Sequence, residues 1–133
     1  MRKKVRGEAK EKARPNYKKE CLDLWSLCVR VEQRKCQFMG CNKDVGLTAH
    51  HIRSVTHGAT MLDTDNGLCV CWGHHRLQKL KSEWFQDQVI DVIGNEKYER
   101  LKKKSFQIFK WNQKDLKMMV FVLKNKLKSL QYD

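Results

Sequence analysis

The sequence predicts an α+β fold that is mostly helical, with two short strands near its middle. Apolar residues recur every three or four positions towards both ends of the chain, a spacing typical of amphipathic helices. Between these regions lie two short apolar stretches bounded by polar residues or Gly, as strands commonly are. All five His and all six Cys fall within residues 20–95. We therefore expect a small central unit that carries the chemistry and is flanked by N- and C-terminal helices.

The first part of the chain is predicted to be a polar arm followed by a helix. Residues 1–16 are basic and almost without large apolar side chains, so we interpret them as a flexible arm. A helical pattern begins near Tyr17, and Cys21 and Cys28 lie on or near its apolar face. Because free Cys is among the most often buried residue types, we expect both thiols in the core.

The middle of the chain is predicted to fold as strand, loop, strand and helix. After a turn-like stretch, residues 47–52 form a short strand. A polar loop over 53–66 leads to a second strand over 67–71, and the apolar spacing becomes helical near His74. Together with the leading helix, residues 17–81 are expected to form the core of the protein.

The last part, residues 82–133, is predicted to be a helical extension. Ser82 is placed to cap a helix that Gly94 ends, and Asn95 to cap a short helix after it. Asn112, followed three residues later by Asp, resembles a capping box for the last helix. That helix carries an apolar stripe with 4, 3, 4, 3 spacing, which we interpret as a packing face: Leu116, Val120, Leu123, Leu127 and Leu130.

The charge of the chain indicates a polyanionic partner. Its 28 Lys and Arg against 15 Asp and Glu give a net charge of +13. Residues 1–19 and residues 96–133 each carry +7, whereas residues 20–95 carry −1. Such an excess attracts polyanions, of which nucleic acid is the commonest. We therefore expect the basic ends to bind nucleic acid around a nearly neutral centre, and the extension either to pack on the core or to bind DNA.

From the sequence we expect neither a membrane span nor an export signal. The longest uninterrupted apolar run, Met118–Leu123, has six residues, whereas a membrane helix needs about 20. The basic start is not followed by an apolar stretch, as it would be in a secretory signal. We expect a cytoplasmic protein without a membrane partner, in which Cys residues bind metal or are buried rather than forming disulfides.

Two short-range pairs of residues have the character of structural zinc ligands. Cys36 and Cys41 lie on the turn before the first strand, and Cys71 and His74 lie where the second strand becomes a helix. Four such ligands can close a tetrahedral zinc site that joins distant segments of the chain. Cys69 shares a strand face with Cys71 and is the alternative fourth ligand. We prefer His74, because the two-residue gap from Cys71 is the usual knuckle spacing.

Three segments in the centre resemble the signature of the HNH endonucleases, a family with a ββα-metal core. They are A-H-H-I (residues 49–52), D-N-G-L (65–68) and C-W-G-H-H (71–75). The resemblance covers about residues 35–80. It departs from many members in the four residues between the first two Cys and in having His74 where Cys is frequent. These departures bear on the identity of the fourth zinc ligand.

The resemblance implies a metal-dependent DNA endonuclease. By this resemblance His50 and His75 bind a catalytic divalent ion, Mg²⁺ or Mn²⁺, His51 is the general base, and Asn66 holds the loop that orients it. The family implies cleavage to 5′-phosphate and 3′-hydroxyl ends. Towards its C-terminus the chain also faintly resembles phage recombination nucleases of the Rap/NinG type, which implies a role in phage DNA processing or recombination and branched-DNA substrates.

Basic residues near the predicted site are candidates for DNA contacts: Arg53, Arg76, Lys79, Lys102, Lys103 and Lys104. For Trp72 and Trp111 we expect packing roles rather than base stacking. Two other functions fit the sequence. One is a zinc-stabilised DNA-binding module without nuclease activity, and the other is a zinc adaptor that binds an acidic protein surface. The oligomeric state is left open, because a monomer with one site would nick DNA whereas a homodimer could cut both strands.

Overall fold

The computed structural model describes residues 15–132, so the predicted basic arm lies almost entirely outside the described residues. The first helix, α1 (Tyr17–Gln33), begins where the Asn16 side chain accepts a hydrogen bond from the Lys19 N–H at 3.1 Å. It ends at Arg34, which adopts a left-handed conformation with φ of 69°. The predicted start of this helix near Tyr17 is confirmed.

Two antiparallel strands form the only sheet within the described residues. Strand β1 (Leu47–His51) pairs with β2 (Gly67–Cys71), with His50 opposite Leu68 and His51 opposite Gly67. The second strand has its predicted bounds, whereas the first ends one residue before the predicted position. The sheet is therefore small, and it places the two adjacent His residues at the end of β1 from which the chain turns away.

The connection between the strands was predicted to be a polar loop, and this prediction is wrong. It contains a short helix, α2 (Gly58–Met61), and a 3₁₀ turn, Thr64–Asn66. The physical reason is tertiary, since the polar residues Thr60 and Asn66 are fully buried and the Asn66 Nδ2 donates to the Thr60 carbonyl at 3.1 Å. The polar composition of this connection predicts a loop. Because the connection is partly buried, however, its backbone groups must form hydrogen bonds within the protein.

Five further helices follow the second strand: α3 (Trp72–His75), α4 (Leu77–Leu80), α5 (Ser82–Ile93), α6 (Asn95–Ser105) and α7 (Gln113–Tyr132). Gly94 ends α5 with φ of 87°, as predicted. The predicted caps Ser82 and Asn95 are instead the first residues of their helices, because Lys81 and Gly94 occupy the cap positions. Asn112 does cap α7, accepting a bond from the Asp115 N–H at 2.8 Å.

The two strands lie between two hydrophobic clusters. Over residues 68–70 the side chains of β2 alternate between them, so that Cys69 joins the first cluster while Leu68 and Val70 join the second. The first cluster packs α1 against α7 and contains the buried part of the predicted stripe, which confirms that the stripe is a packing face. Cys21 and Cys28 are fully buried there, also as predicted.

Gly67 allows α1 to approach the sheet closely. A Cβ at this position would collide with the side chain of Val29 and crowd that of Trp25. The Trp25 indole is almost fully buried, and its N–H donates to the Asp63 carbonyl at 2.8 Å. Helix α1 thus packs directly against both β2 and the connection that precedes it. None of the helices within residues 15–132 is long and apolar enough to cross a membrane.

Candidate metal centre and histidine cleft

Four side chains converge in what we call the Cys3His cluster, Cys36, Cys41, Cys71 and His74. All of their ligand atoms lie within 4.8 Å of one another. The His74 Nδ1 lies 3.5 Å from Cys36 Sγ and 3.3 Å from Cys71 Sγ, and the Sγ atoms of Cys41 and Cys71 are 3.9 Å apart. Tetrahedral zinc with ordinary bond lengths requires S···S distances of about 3.8 Å and S···N distances of about 3.6 Å. The cluster could therefore bind a structural metal ion such as zinc.

The backbone around the cluster has the form of a knuckle on each side. Cys71 is the N-cap of α3, where its Sγ accepts a hydrogen bond from the His74 N–H at 3.4 Å. On the other side, the Cys36 N–H donates to the Lys43 carbonyl at 2.8 Å and closes the loop that holds Cys41. Cys69 is outside the cluster and buried among the residues of α1. The preference for His74 over Cys69 as the fourth ligand agrees with this arrangement.

The surroundings of the cluster shift the pKa values of two of its thiols in opposite directions. Burial raises the pKa of the Cys36 thiol to about 11. Burial acts in the same direction on Cys71, but hydrogen bonds from the His74 backbone and from neighbouring thiols hold its pKa below the usual value. A metal ion binds the thiolate forms and would offset the desolvation that burial imposes on them. The donor set and its environment thus fit a closed structural site.

A second group of imidazoles, which we call the histidine cleft, consists of His50, His51 and His75. These side chains line one open cavity of about 290 Å³, together with Ser54, Val55, Ala49 and Gln78. The rings of His50 and His75 have centroids 5.7 Å apart and planes 63° apart. The edge of this pair packs on Phe85 of α5, whose ring lies 4.8 Å from that of His50. Strand β1 and helix α3 therefore present their His residues to the same space.

His51 is held by two contacts that the sequence did not reveal. Its ring stacks on the Trp25 indole, with centroids 3.7 Å apart and an interplanar angle of 11°. Its Nε2 lies 3.0 Å from the Met61 carbonyl oxygen. Because a carbonyl only accepts hydrogen bonds, Nε2 carries the proton and Nδ1 of the neutral ring carries the lone pair. The tautomer of His51 is therefore fixed by the backbone of the connection between the strands.

Burial keeps the imidazoles of the cleft neutral near neutral pH. It lowers the pKa of His50 to about 4, with smaller contributions from the charges that His75 and His51 would carry. Burial also lowers the pKa values of His51 and His75, although the hydrogen bond to Met61 acts against the shift at His51. Neutral imidazole is the form that binds cations and accepts protons.

Asn66 ties the connection together beside the cleft. Its side chain is fully buried. The Oδ1 accepts from the Arg53 N–H at 2.7 Å, while the Nδ2 donates to the carbonyls of Arg53 at 3.0 Å and Thr60 at 3.1 Å. Since Met61 follows Thr60, these bonds also fix the carbonyl that His51 contacts. Asn66 therefore holds the connection between the strands, whose Met61 carbonyl contacts His51.

The basic residues proposed to contact DNA are in different surroundings. The Arg53 guanidinium is engaged within the protein, with Nε donating to Ser105 Oγ at 3.1 Å and one terminal nitrogen to Tyr98 at 3.3 Å. Arg76 and Lys79 are exposed and line a cavity of about 400 Å³ with His75. Lys102, Lys103 and Lys104 lie at the end of α6, where Lys104 pairs with Asp63 at 2.6 Å.

Two tryptophans differ in how far the sequence predicted their roles. Trp111 packs, as expected, and its indole N–H donates to the Gly58 carbonyl at 2.9 Å. The expected packing role of Trp72 is wrong, because 56% of this residue is exposed beside His75. Helix α3 has only four residues and turns its first side chain away from both clusters. Trp72 therefore forms part of the open wall of the 400 Å³ cavity.

Comparison of the chain with protein-family models, with curated proteins and with solved structures finds no match.

Proposed function

We propose that this chain is a metal-dependent DNA endonuclease of the HNH type, with the histidine cleft as its active site. The observation that carries the proposal is the convergence of three neutral imidazoles on one open cavity, with His51 in a fixed tautomer and His50 facing His75. Hydrolysis of a phosphodiester needs a base for water and a cation for the charge on phosphate. The cleft offers side chains suited to each task.

His51 is proposed as the general base. Its Nδ1 takes a proton from water as the water oxygen attacks phosphorus. The bond from phosphorus to the 3′ oxygen breaks, which leaves a 5′-phosphate, and the 3′ oxygen takes a proton from solvent. Stacking on Trp25 and the bond to the Met61 carbonyl orient the ring before substrate arrives. Such positioning lowers the reorganisation needed in the transition state.

His50 and His75 are proposed as the ligands of the catalytic cation. A separation of 5.7 Å between ring centroids is compatible with two imidazoles that bind one shared ion, each through one ring nitrogen. When bound there, Mg²⁺ or Mn²⁺ would stabilise the negative charge that develops on the phosphate oxygens. Two protein ligands leave the remaining coordination positions to phosphate and water. Phe85 packs against both rings and restricts their orientation.

Charge supports DNA as the substrate. The chain carries +13, and Arg76 and Lys79 line the cavity that adjoins His75. Contacts from such residues to the phosphate backbone give affinity that depends on salt and little on sequence. Lys102, Lys103 and Lys104 at the end of α6 extend the proposed basic surface beyond the cleft.

The test is a plasmid-nicking assay with Mg²⁺, with Mn²⁺ and with EDTA. The parent should convert supercoiled DNA to nicked or linear forms only with the ions, and His51→Ala should be slower by about 10²–10⁴-fold. DNA binding by His51→Ala should remain, and the control Asn125→Ala, on the exposed face of α7, should match the parent.

Two results would contradict the proposal. Nicking by His51→Ala at the parental rate would remove the proposed base. A parent that binds DNA but nicks it with none of these ions would instead favour the zinc-stabilised DNA-binding module.

A further inference from the structure

The segment between α6 and α7 presents apolar side chains to solvent. We call Phe106–Lys110 the apolar segment. Ile108 is 92% exposed, Phe106 is 64% exposed and Phe109 is 44% exposed. Three large apolar residues within four positions form a concentrated apolar surface rather than the scattered apolar residues that every protein surface has. A surface of this kind indicates a binding site.

The apolar segment is anchored from beneath. The Trp111 indole N–H donates to the Gly58 carbonyl at 2.9 Å, and the Trp111 ring packs edge-on against Phe109 with centroids 4.7 Å apart. The backbone of the segment also approaches α2 so closely that a Cβ at Gly58 would collide with the Phe109 carbonyl oxygen. The exposed side chains are therefore presented from a fixed base, which reduces the entropy lost on binding.

The apolar segment adjoins the histidine cleft. Ser54 and Val55 line the cleft, while the next two residues, 56 and 57, line a cavity of about 350 Å³ whose other wall is the apolar segment. Arg53 joins the two regions, since it follows His51 by two residues and its guanidinium lies 5.5 Å from the centre of the Phe106 ring. A ligand long enough to extend from the histidine cleft into this cavity would contact both the cleft and the apolar segment.

The surroundings of the apolar segment are basic. Lys110 belongs to it, and Lys102 and Lys103 precede it at the end of α6, next to Lys104, which pairs with Asp63. Two cavities of about 350 Å³ and 330 Å³ flank the segment, and among the described residues no acidic side chain lines either one. An apolar surface in a basic setting suits a polyanion with flat apolar faces, and nucleic-acid bases on a phosphate backbone have this character.

We infer that the apolar segment contacts DNA at a base step beside the cleavage site, with Ile108 inserted between neighbouring bases. This inference rests on the proposed function and names its substrate class, which is DNA whose stacking is already weakened near the cleaved phosphate. Insertion into an intact duplex requires unstacking, whereas a bulge or mismatch has lost part of that stacking already. The chain should therefore bind a bulged duplex more tightly than a continuous one of the same length.

The experiment measures binding separately from cleavage. The full chain with His51→Ala is titrated onto 30-base-pair duplexes, one continuous and one with a two-base bulge flanked by 2-aminopurine, whose fluorescence rises on unstacking. We expect tighter binding to the bulged duplex and a rise in fluorescence. Adding Ile108→Ser should weaken binding to the bulged duplex on the order of tenfold and abolish the rise. The salt dependence should stay the same, because no phosphate contact is removed.

Val122→Ser is the matched control, since Val122 is also a branched apolar residue, 51% exposed on α7. It should bind as its parent does. Equal affinity of Ile108→Ser and its parent for the bulged duplex would overturn the inference, and so would an equal loss with Val122→Ser. Loss of self-association with unchanged DNA binding would also overturn it and assign the segment to a second copy of the chain. Ile108-dependent binding by a parent that never nicks DNA would support the inference while refuting the nuclease.

Discussion

Because the Cys3His cluster could bind zinc, chelation of zinc bound there is predicted to destabilise the protein measurably without unfolding it at room temperature. An ion that binds only the folded chain adds RT ln(1 + [L]/Kd), or about 4 kcal/mol when free zinc is a thousandfold above Kd. For a chain of this size, each kcal/mol corresponds to roughly 3–5 °C in Tm. Chelation should therefore lower Tm by about 12–20 °C. The first hydrophobic cluster, which contains none of the four ligand residues, should keep the chain folded below that temperature.

The matched variants for this prediction are Cys36→Ala and Cys69→Ala. Both remove one buried thiol, with exposures of 2% and 0%, but only Cys36 belongs to the cluster. Cys69→Ala should lose about 1 kcal/mol from its packing and still bind one zinc. Cys36→Ala should bind zinc much more weakly, and its Tm should hardly respond to chelation.

The assay is thermal unfolding followed by circular dichroism, with and without chelator, together with zinc content by atomic absorption. Retention of one zinc and of the full chelator response by Cys36→Ala would refute the assignment of the cluster. Loss of zinc from Cys69→Ala would refute the choice of His74 as the fourth ligand.

Two further predictions concern the contacts of α1. Gly67→Ala should destabilise the fold by about 1–3 kcal/mol, because the added Cβ collides with Val29; urea unfolding measures this, and an unchanged midpoint would contradict the close approach. Trp25→Phe should cost about 1–3 kcal/mol by leaving the Asp63 carbonyl without its indole donor, and should lower kcat of nicking more than it raises KM, because the stack that orients His51 is altered. Equal kcat values for parent and variant would remove Trp25 as a positioning residue.

The parts of the structure that local spacing determines could be predicted from the sequence. The first helix, the second strand and the packing stripe of α7 follow from apolar periods within one element. The Cys3His cluster follows from two pairs whose short spacing places each on one knuckle, Cys36 with Cys41 and Cys71 with His74. In these cases the structure is determined by residues that are close together in the sequence.

The contacts that complete the histidine cleft could not be predicted, because each joins segments far apart in the chain. In the sequence, Trp25 is one of several apolar residues on the face of α1. Its neighbours in the sequence do not indicate that it stacks on His51. The proton on His51 Nε2 depends on a backbone carbonyl, at Met61, to which no sequence pattern points. For the same reason the sequence predicts a polar loop between the strands, because the burial of Asn66 is a property of the tertiary structure.

The contact between Phe38 and Phe85 connects the Cys3His cluster with the histidine cleft. Phe38 lies in the loop between Cys36 and Cys41, and its ring lies 5.1 Å from His74 and 5.1 Å from Phe85. Phe85 in turn packs at 4.8 Å from His50 and 6.4 Å from His75. Release of the structural ion would free the loop and loosen the surface against which the proposed ligands of the catalytic cation are oriented.

Residues that orient metal ligands commonly contribute 10–100-fold to metal affinity. We therefore expect Cys36→Ala, kept well below its Tm, to need on the order of tenfold more Mn²⁺ for half-maximal nicking, while Cys69→Ala needs the same concentration as the parent. Equal Mn²⁺ requirements for Cys36→Ala and the parent would show that the histidine cleft is built independently of the cluster.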